Sequence, residues 1–204
     1  MNAEEKIRLQ QFAIDIRKLI IREMTEDLVL ELVAKGLKTD QIVLTLGYDA
    51  ENLRDDSRAG QYTGEVKADR YGRKVPKSAH GSQNLDAYTS SGKMITEAAM
   101  QLADKIIDSK LLVRRIYVVF SHVLPEGEIP AVSSAIQPDL FSYAGQPEDT
   151  NEETKADLER EKRLQHSVLE IRERFGKNAV FKGTSLLENS THLERNGQIG
   201  GHRA

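Results

Sequence analysis

Asp40-Gln-Ile-Val-Leu-Thr-Leu-Gly-Tyr48 decides the fold class of this chain. Ile42, Leu44 and Leu46 recur at every second position, and side chains two apart on a strand share a face, so the stretch predicts a half-buried β-strand. Upstream, the period changes. Leu9, Phe12, Ile16, Ile20, Met24, Leu28 and Leu32 recur three and four apart, which predicts a long amphipathic helix. Gly36 stands past its last turn as a stop, and Lys35 is placed to meet the negative end of the helix dipole.

Downstream, residues 49–72 are rich in Asp, Arg, Gly and Asn without a period, and are expected to form a loop or insertion. A second strand is expected over 73–88. A second amphipathic helix follows over 93–108, with Ile95, Ala98, Ala99, Leu102 and Ile106 on one stripe and Thr89, Ser90 or Ser91 available as its cap. In 111–121, Ile116, Val118 and Phe120 alternate with Arg115, Tyr117 and Val119, a strand with one buried and one open face. Two amphipathic helices need an apolar surface, and one face of a small sheet supplies it. The expected fold is therefore α+β: a small antiparallel sheet of three or four strands, two helices packed on one face, and the opposite face free for a ligand.

Pro125, Pro130, Pro138 and Pro147 then fall among Gly, Ser and acidic residues, the signature of a linker. From Glu152 to Arg174 the chain is highly charged, with Leu158, Leu164, Val168, Ile171 and Phe175 spaced for one helical face and Gly176 as its stop. The organisation expected is a globular domain over 1–124, a linker over 125–151 and a helical tail with a basic, Gly-rich terminus over 152–204.

Composition narrows the function. Apolar residues at 39% against 30% charged in 204 residues allow a real core and argue against wholesale disorder. There is no cysteine, hence no disulfide framework and no thiolate zinc site. The start of the chain, with Glu4, Glu5, Lys6 and Arg8, lacks the apolar run of a signal peptide or a membrane span. A cytoplasmic protein without a membrane partner is expected. The net charge of −3 is unusual for a phosphate binder, but it is unevenly spread: Arg70, Arg73, Lys74 and Lys77 lie in one acid-free stretch and Lys110, Arg114 and Arg115 in another. By charge alone these are either solvated surface or phosphate contacts.

Catalytic chemistry is missing from the sequence. No pair of carboxylates sits on adjacent strand ends where a nucleotidyl transferase would hold its metals; Asp55-Asp56 falls in the irregular stretch. His80, His122, His166, His192 and His202 share no metal-ligating spacing. There is no Gly-x-Ser-x-Gly elbow and no phosphate loop. No catalytic residue, metal site or cofactor is expected in this chain.

Several stretches resemble the C-terminal region of Y-family, UmuC/DinB-like translesion polymerases, particularly those of Gram-positive bacteria. They are Ile21-Arg-Glu-Met-Thr25 through Thr39-Asp-Gln-Ile-Val-Leu-Thr-Leu-Gly-Tyr-Asp49, Tyr71-Gly-Arg-Lys-Val-Pro-Lys-Ser-Ala-His-Gly81, Leu111-Leu-Val-Arg-Arg-Ile116 and the terminal Glu194-Arg-Asn-Gly-Gln-Ile-Gly-Gly-His-Arg-Ala204. The resemblance spans roughly 14–204. It implies a little finger, a four-stranded sheet backed by two helices with its open face on DNA, in an enzyme of DNA repair and the SOS response whose magnesium-dependent palm lies outside this sequence. Residues 1–13 read as helix where that family has a first strand, so the sheet is expected to have an incomplete edge.

On this resemblance the DNA partner is duplex or primer-template, held through its backbone. Arg73, Lys74 and Lys77 would pair with phosphates, Ser78, His80 and Ser82 would hydrogen-bond along the strand, and Gly81 would allow close approach. Of Arg114 and Arg115, alternation puts Arg115 on the open face and leaves Arg114 a role only at a strand end. In the linker, Gln137, Asp139, Leu140 and Phe141 resemble a bacterial sliding-clamp-binding peptide, Leu140 and Phe141 filling an apolar pocket while Gln137 bonds at its rim. The alternative is an interaction fragment whose incomplete sheet pairs with a separately encoded polymerase part or with a second copy of itself.

Overall fold

A computed structural model of the protein describes residues 3–54, 60, 62–129, 149–199 and 202–203. Helix α1 (Ala3–Ala34) leads through Gly36, at φ 65°, into strand β1 (Leu37–Tyr48). Only a residue without Cβ takes that left-handed turn without cost, so the stop read at Gly36 has its cause in the backbone. Short strands β2 (Val66–Ala68) and β3 (Lys74–Pro76) form a hairpin, followed by β4 (Ala79–Thr89), helix α2 (Gly92–Ile106), β5 (Val113–Ser121) and β6 (Leu124–Pro125). Helices α3 (Asp149–Phe175) and α4 (His192–Asn196) and a terminal hairpin, β7 (Gln198–Ile199) with β8 (His202–Arg203), complete the described chain.

The class is α+β, with a small antiparallel sheet in which β1 is central. It pairs with β4 on one side and β5 on the other, and β6 continues the β5 side past His122, pairing with Leu37 and Lys38. The alternation read in β1 holds: Ile42, Leu44, Leu46 and Tyr48 are buried. The first three face Phe120, Val118 and Ile116 of β5 and form one core with Ile21, Val29 and Leu32 of α1 and Ile95, Ala99 and Leu102 of α2. Each fully buried Ile or Leu contributes about 1.5 to 3 kcal/mol. Both helices therefore lie on one face and leave the other open.

Several expectations are corrected. Residues 49–72 are not all loop: Ala50–Leu53 is a 3-10 turn and β2 pairs with β3. The strand expected over 73–88 breaks between Pro76 and Ala79, because Lys77 bonds back to the Glu65 carbonyl (2.8 Å) and ties the hairpin off from the sheet. In α1 the buried apolar residues are Ile21, Val29, Leu32 and Val33, whereas Leu9 and Phe12 are exposed. In α3 the inward position is Gln165, and Leu164, Ile171 and Phe175 are exposed. Asp55, Asp56 and the clamp-like stretch Gln137–Phe141 lie outside the described residues.

The tail packs on the helical layer. Ser91 caps α2 by accepting the Met94 N–H (3.3 Å), and Glu161 of α3 accepts the Ser91 hydroxyl (2.6 Å) and the Lys93 N–H (3.0 Å). A carboxylate there meets the positive end of the α2 dipole. On α1, the buried Glu23 accepts the Ser190 hydroxyl and lies 3.4 Å from Arg195, while Arg172 reaches Asp27 at 3.3 Å and Lys182 reaches Glu26 at 2.8 Å.

Candidate nucleic-acid interface

Register assigns the open face residue by residue. Odd-numbered β1 residues point away from the helices, and their partners line up in rows across the sheet: Ser121, Gln41 and Asn84; Val119, Val43 and Ser82; Tyr117, Thr45 and His80; and Arg115 beside Gly47. His80 is fixed by Thr45, whose Oγ1 lies 2.8 Å from its Nδ1. Ser82 and His80 are thus on the face where hydrogen bonds along a strand of DNA were expected. Gly81 is not. It faces the helices, where an added Cβ would come within 2.9 Å of Leu102 Cδ1 and 3.1 Å of Ile106 Cγ2. Its lack of a side chain lets α2 close on the sheet, and the close approach to DNA expected of it is replaced by a close approach to its own helix.

Gly47 ends the regular pairing of β1, and the register shift between Gly47 and Tyr48 frees Arg114 from the alternation of β5. Arg114 is exposed and its guanidinium lies 3.3 Å from Asp49. The condition attached to it, a place at the strand end, is met. Arg115, also exposed, stands on the open face beside Gly47. The bare glycine leaves backbone as the floor at this corner.

The β2–β3 hairpin supplies the opposite wall. Its turn runs from Asp69 to Arg73, with Gly72 at φ 76° and the Asp69 carboxylate accepting the N–H groups of Tyr71 and Arg73, both at 2.9 Å. The same carboxylate takes the Arg73 guanidinium at 2.6 and 2.9 Å. That charged hydrogen bond from Arg73, helped by the backbone donors, holds the Asp69 carboxyl down to about 2 and raises Arg73. Lys77 is paired with Glu65 at 2.7 Å, which raises Lys77 and lowers Glu65. Tyr71 is covered by Arg70 at 4.6 Å and Arg73 at 5.3 Å from its ring centre.

The acid-free look of residues 70–80 is therefore partly a feature of sequence order, because β2 brings Glu65 and Asp69 back against Arg73 and Lys77. Across 65–77 five cations still face two carboxylates, so the hairpin remains basic. Lys74 and Arg115 form no ion pair among the described residues. Between hairpin and sheet lies a hollow of about 170 Å³ lined by Gly47, Asp69, Arg73, Ser78, Arg114, Arg115 and Tyr117. Arg73, Ser78, Arg114 and Arg115 thus meet at one place; Lys74, on the hairpin, and Lys77, just past it, do not line the hollow, and His80 and Ser82 continue from it along β4. Thr45, Gly47, Asp69 and Tyr117 are participants that residue type alone did not single out. The alternation of β1 and β5 carried the signal for Thr45 and Tyr117, whereas Asp69 needed the hairpin.

Among the described residues no group of three or more His, Asp or Glu side chains could hold a metal ion, and no helix is long and apolar enough to cross a membrane. No curated protein and no solved structure matches the chain. The family model for the impB/mucB/samB family C-terminal domain matches residues 10–134, a span that includes most of α1 and all of the sheet, the hairpin and α2. The chain belongs to this family, and residues 10–134 are its C-terminal domain, the C-terminal region of Y-family polymerases.

Proposed function

We propose that the chain is a DNA-gripping module of translesion synthesis, holding the sugar-phosphate backbone on the open face of its sheet and performing no nucleotidyl transfer with its own residues. The observation that carries this is the convergence of Arg73, Arg114, Arg115 and Ser78 on one hollow at the end of that face. Guanidinium groups bind phosphate through paired N–H donors, and a hydroxyl beside them adds a neutral hydrogen bond. Asp69 and Asp49 keep Arg73 and Arg114 in place. Contacts of this kind carry little sequence information, which suits a module that must follow DNA of any sequence.

The test is the salt dependence of duplex binding. Each neutralised phosphate contributes about 0.9 to the slope of log affinity against log salt. Changing two cations that have no carboxylate partner among the described residues, Lys74→Gln with Arg115→Gln, should lower the slope by roughly two if each meets one phosphate. An unchanged slope removes these residues from the interface.

A tether to the sliding clamp through Gln137, Asp139, Leu140 and Phe141 rests on the sequence pattern. Leu140→Ala with Phe141→Ala should abolish clamp binding and leave duplex affinity and melting temperature unchanged. A lowered melting temperature with clamp binding intact would make the pair a structural staple instead. The second reading, an interaction fragment, is favoured by the outer edges of β4 and β5, which have no strand partner among the described residues. It calls for a dimer or a strand-donating polymerase part, whereas the DNA reading calls for duplex binding by the monomer.

A further inference from the structure

The open face is not uniformly polar. Between the cationic corner and the Ser121–Gln41–Asn84 row lie Tyr117 and Val119, 50% and 52% exposed, with Val43 beside them. Isolated apolar side chains on a surface need no explanation, but these share one face with a cationic hollow, and Tyr117 is part of the wall of that hollow. We propose that this strip is a seat for an unpaired nucleotide: the phosphate sits among Arg73, Arg115 and Ser78, and its base lies on Tyr117 with Val119 beyond. The proposal rests on the DNA-binding reading and goes past it, because gripping a duplex backbone requires only the cations.

Three features point to an unpaired nucleotide. Successive residues on one face of a strand are about 6.8 Å apart, so Tyr117 stands one step from Arg115, a spacing comparable to that between a nucleotide's phosphate and its base. Bases within a duplex have their faces covered by their neighbours and offer a protein only their edges; an unstacked base has a free face, and aromatic rings on open sheets hold such faces. The row beneath Tyr117, Thr45 with His80, supplies hydrogen-bonding groups beside the ring. The chemical class that fits a cationic hollow next to a half-exposed tyrosine and an exposed valine is single-stranded DNA, as at a gap or template overhang.

The experiment compares the full chain binding a 12-nucleotide oligothymidylate and a blunt 12-base-pair duplex at the same salt, for the parent protein, Tyr117→Ala and Tyr117→Phe. The single strand should bind more tightly than the blunt duplex. Tyr117→Ala should weaken the single strand about 5- to 100-fold and the duplex by a clearly smaller factor, and Tyr117→Phe should retain single-strand binding because stacking needs the ring. An oligonucleotide carrying 5-iododeoxyuridine should photocrosslink to the peptide holding Tyr117. Equal losses on both DNAs in Tyr117→Ala, or no loss on either, overturn the nucleotide seat while leaving the duplex reading standing. If the parent chain binds neither DNA, both fail.

Discussion

At the scale of single residues, Gly81 separates two kinds of argument. A glycine between His80 and Ser82 invites the reading that DNA comes close there, and nothing in the linear sequence says which face it serves. Register decides it: Gly81 stands opposite Leu44, on the helix side. Gly81→Ala places a methyl 2.9 Å from Leu102 Cδ1 in a packed core, and overpacking of that kind costs about 1 to 3 kcal/mol. Thermal melting should fall by several degrees, with duplex affinity at low temperature unchanged. A stable variant that has lost DNA binding would return Gly81 to the interface. Arg115 was legible because period-two alternation in its strand fixes its face, whereas His80 and Ser82 came only with the resemblance and needed the β1–β4 register to be assigned a face. Arg114 was legible only as a condition, since a register shift at Gly47 cannot be read from residue types.

At the scale of elements, the β2–β3 hairpin was the part the sequence concealed. Val66, Lys67 and Ala68 are all exposed, and three residues without a buried side are too few for a period to appear. What makes the hairpin is local: the Asp69 carboxylate closes its turn through two backbone N–H groups and the Arg73 side chain. Because that carboxyl is held to about 2, below the ordinary 3.8, the folded hairpin binds the Asp69 proton less readily than the unfolded chain does. Its stabilising contribution is complete above the ordinary value and is lost as pH falls through the interval from about 4 to about 2. Carboxyl carbon shifts followed by NMR should give Asp69 a midpoint near 2. Asp69→Asn should remove that transition and loosen Arg73, seen as loss of its slowly exchanging Nε proton. A midpoint near 4 in the parent protein would mean that the ion pair does not hold the turn in solution.

At the scale of the whole molecule, the period of α1 hid a second partner. Apolar residues surround much of this helix: Ile21, Val29 and Leu32 are buried in the main core, while Ile16, Leu19 and Ile20 are half-buried. A helix apolar on more than one side needs more than one cover, and the tail helices α3 and α4 pack against it. The charged sequence of α3 reads as a solvated helix because its inward positions are polar; Gln165 and Glu161 bond to the start of α2 and Arg172 to Asp27. Glu23 is the most exacting of these contacts, with a side chain only 1% exposed and, among the described residues, one close cation, Arg195, on α4. Arg195→Met would leave that carboxylate buried with only the Ser190 hydroxyl and the Thr191 N–H, and an uncompensated buried charge costs about 3 kcal/mol. Since a buried pair replaced as a unit is far less costly than one broken by half, adding Glu23→Gln to Arg195→Met should restore most of the lost stability. Denaturant unfolding of the two single variants and the double variant measures this directly. A double variant as unstable as the sum of the singles would mean that Glu23 and Arg195 act independently, and that the tail is held to α1 by its other contacts.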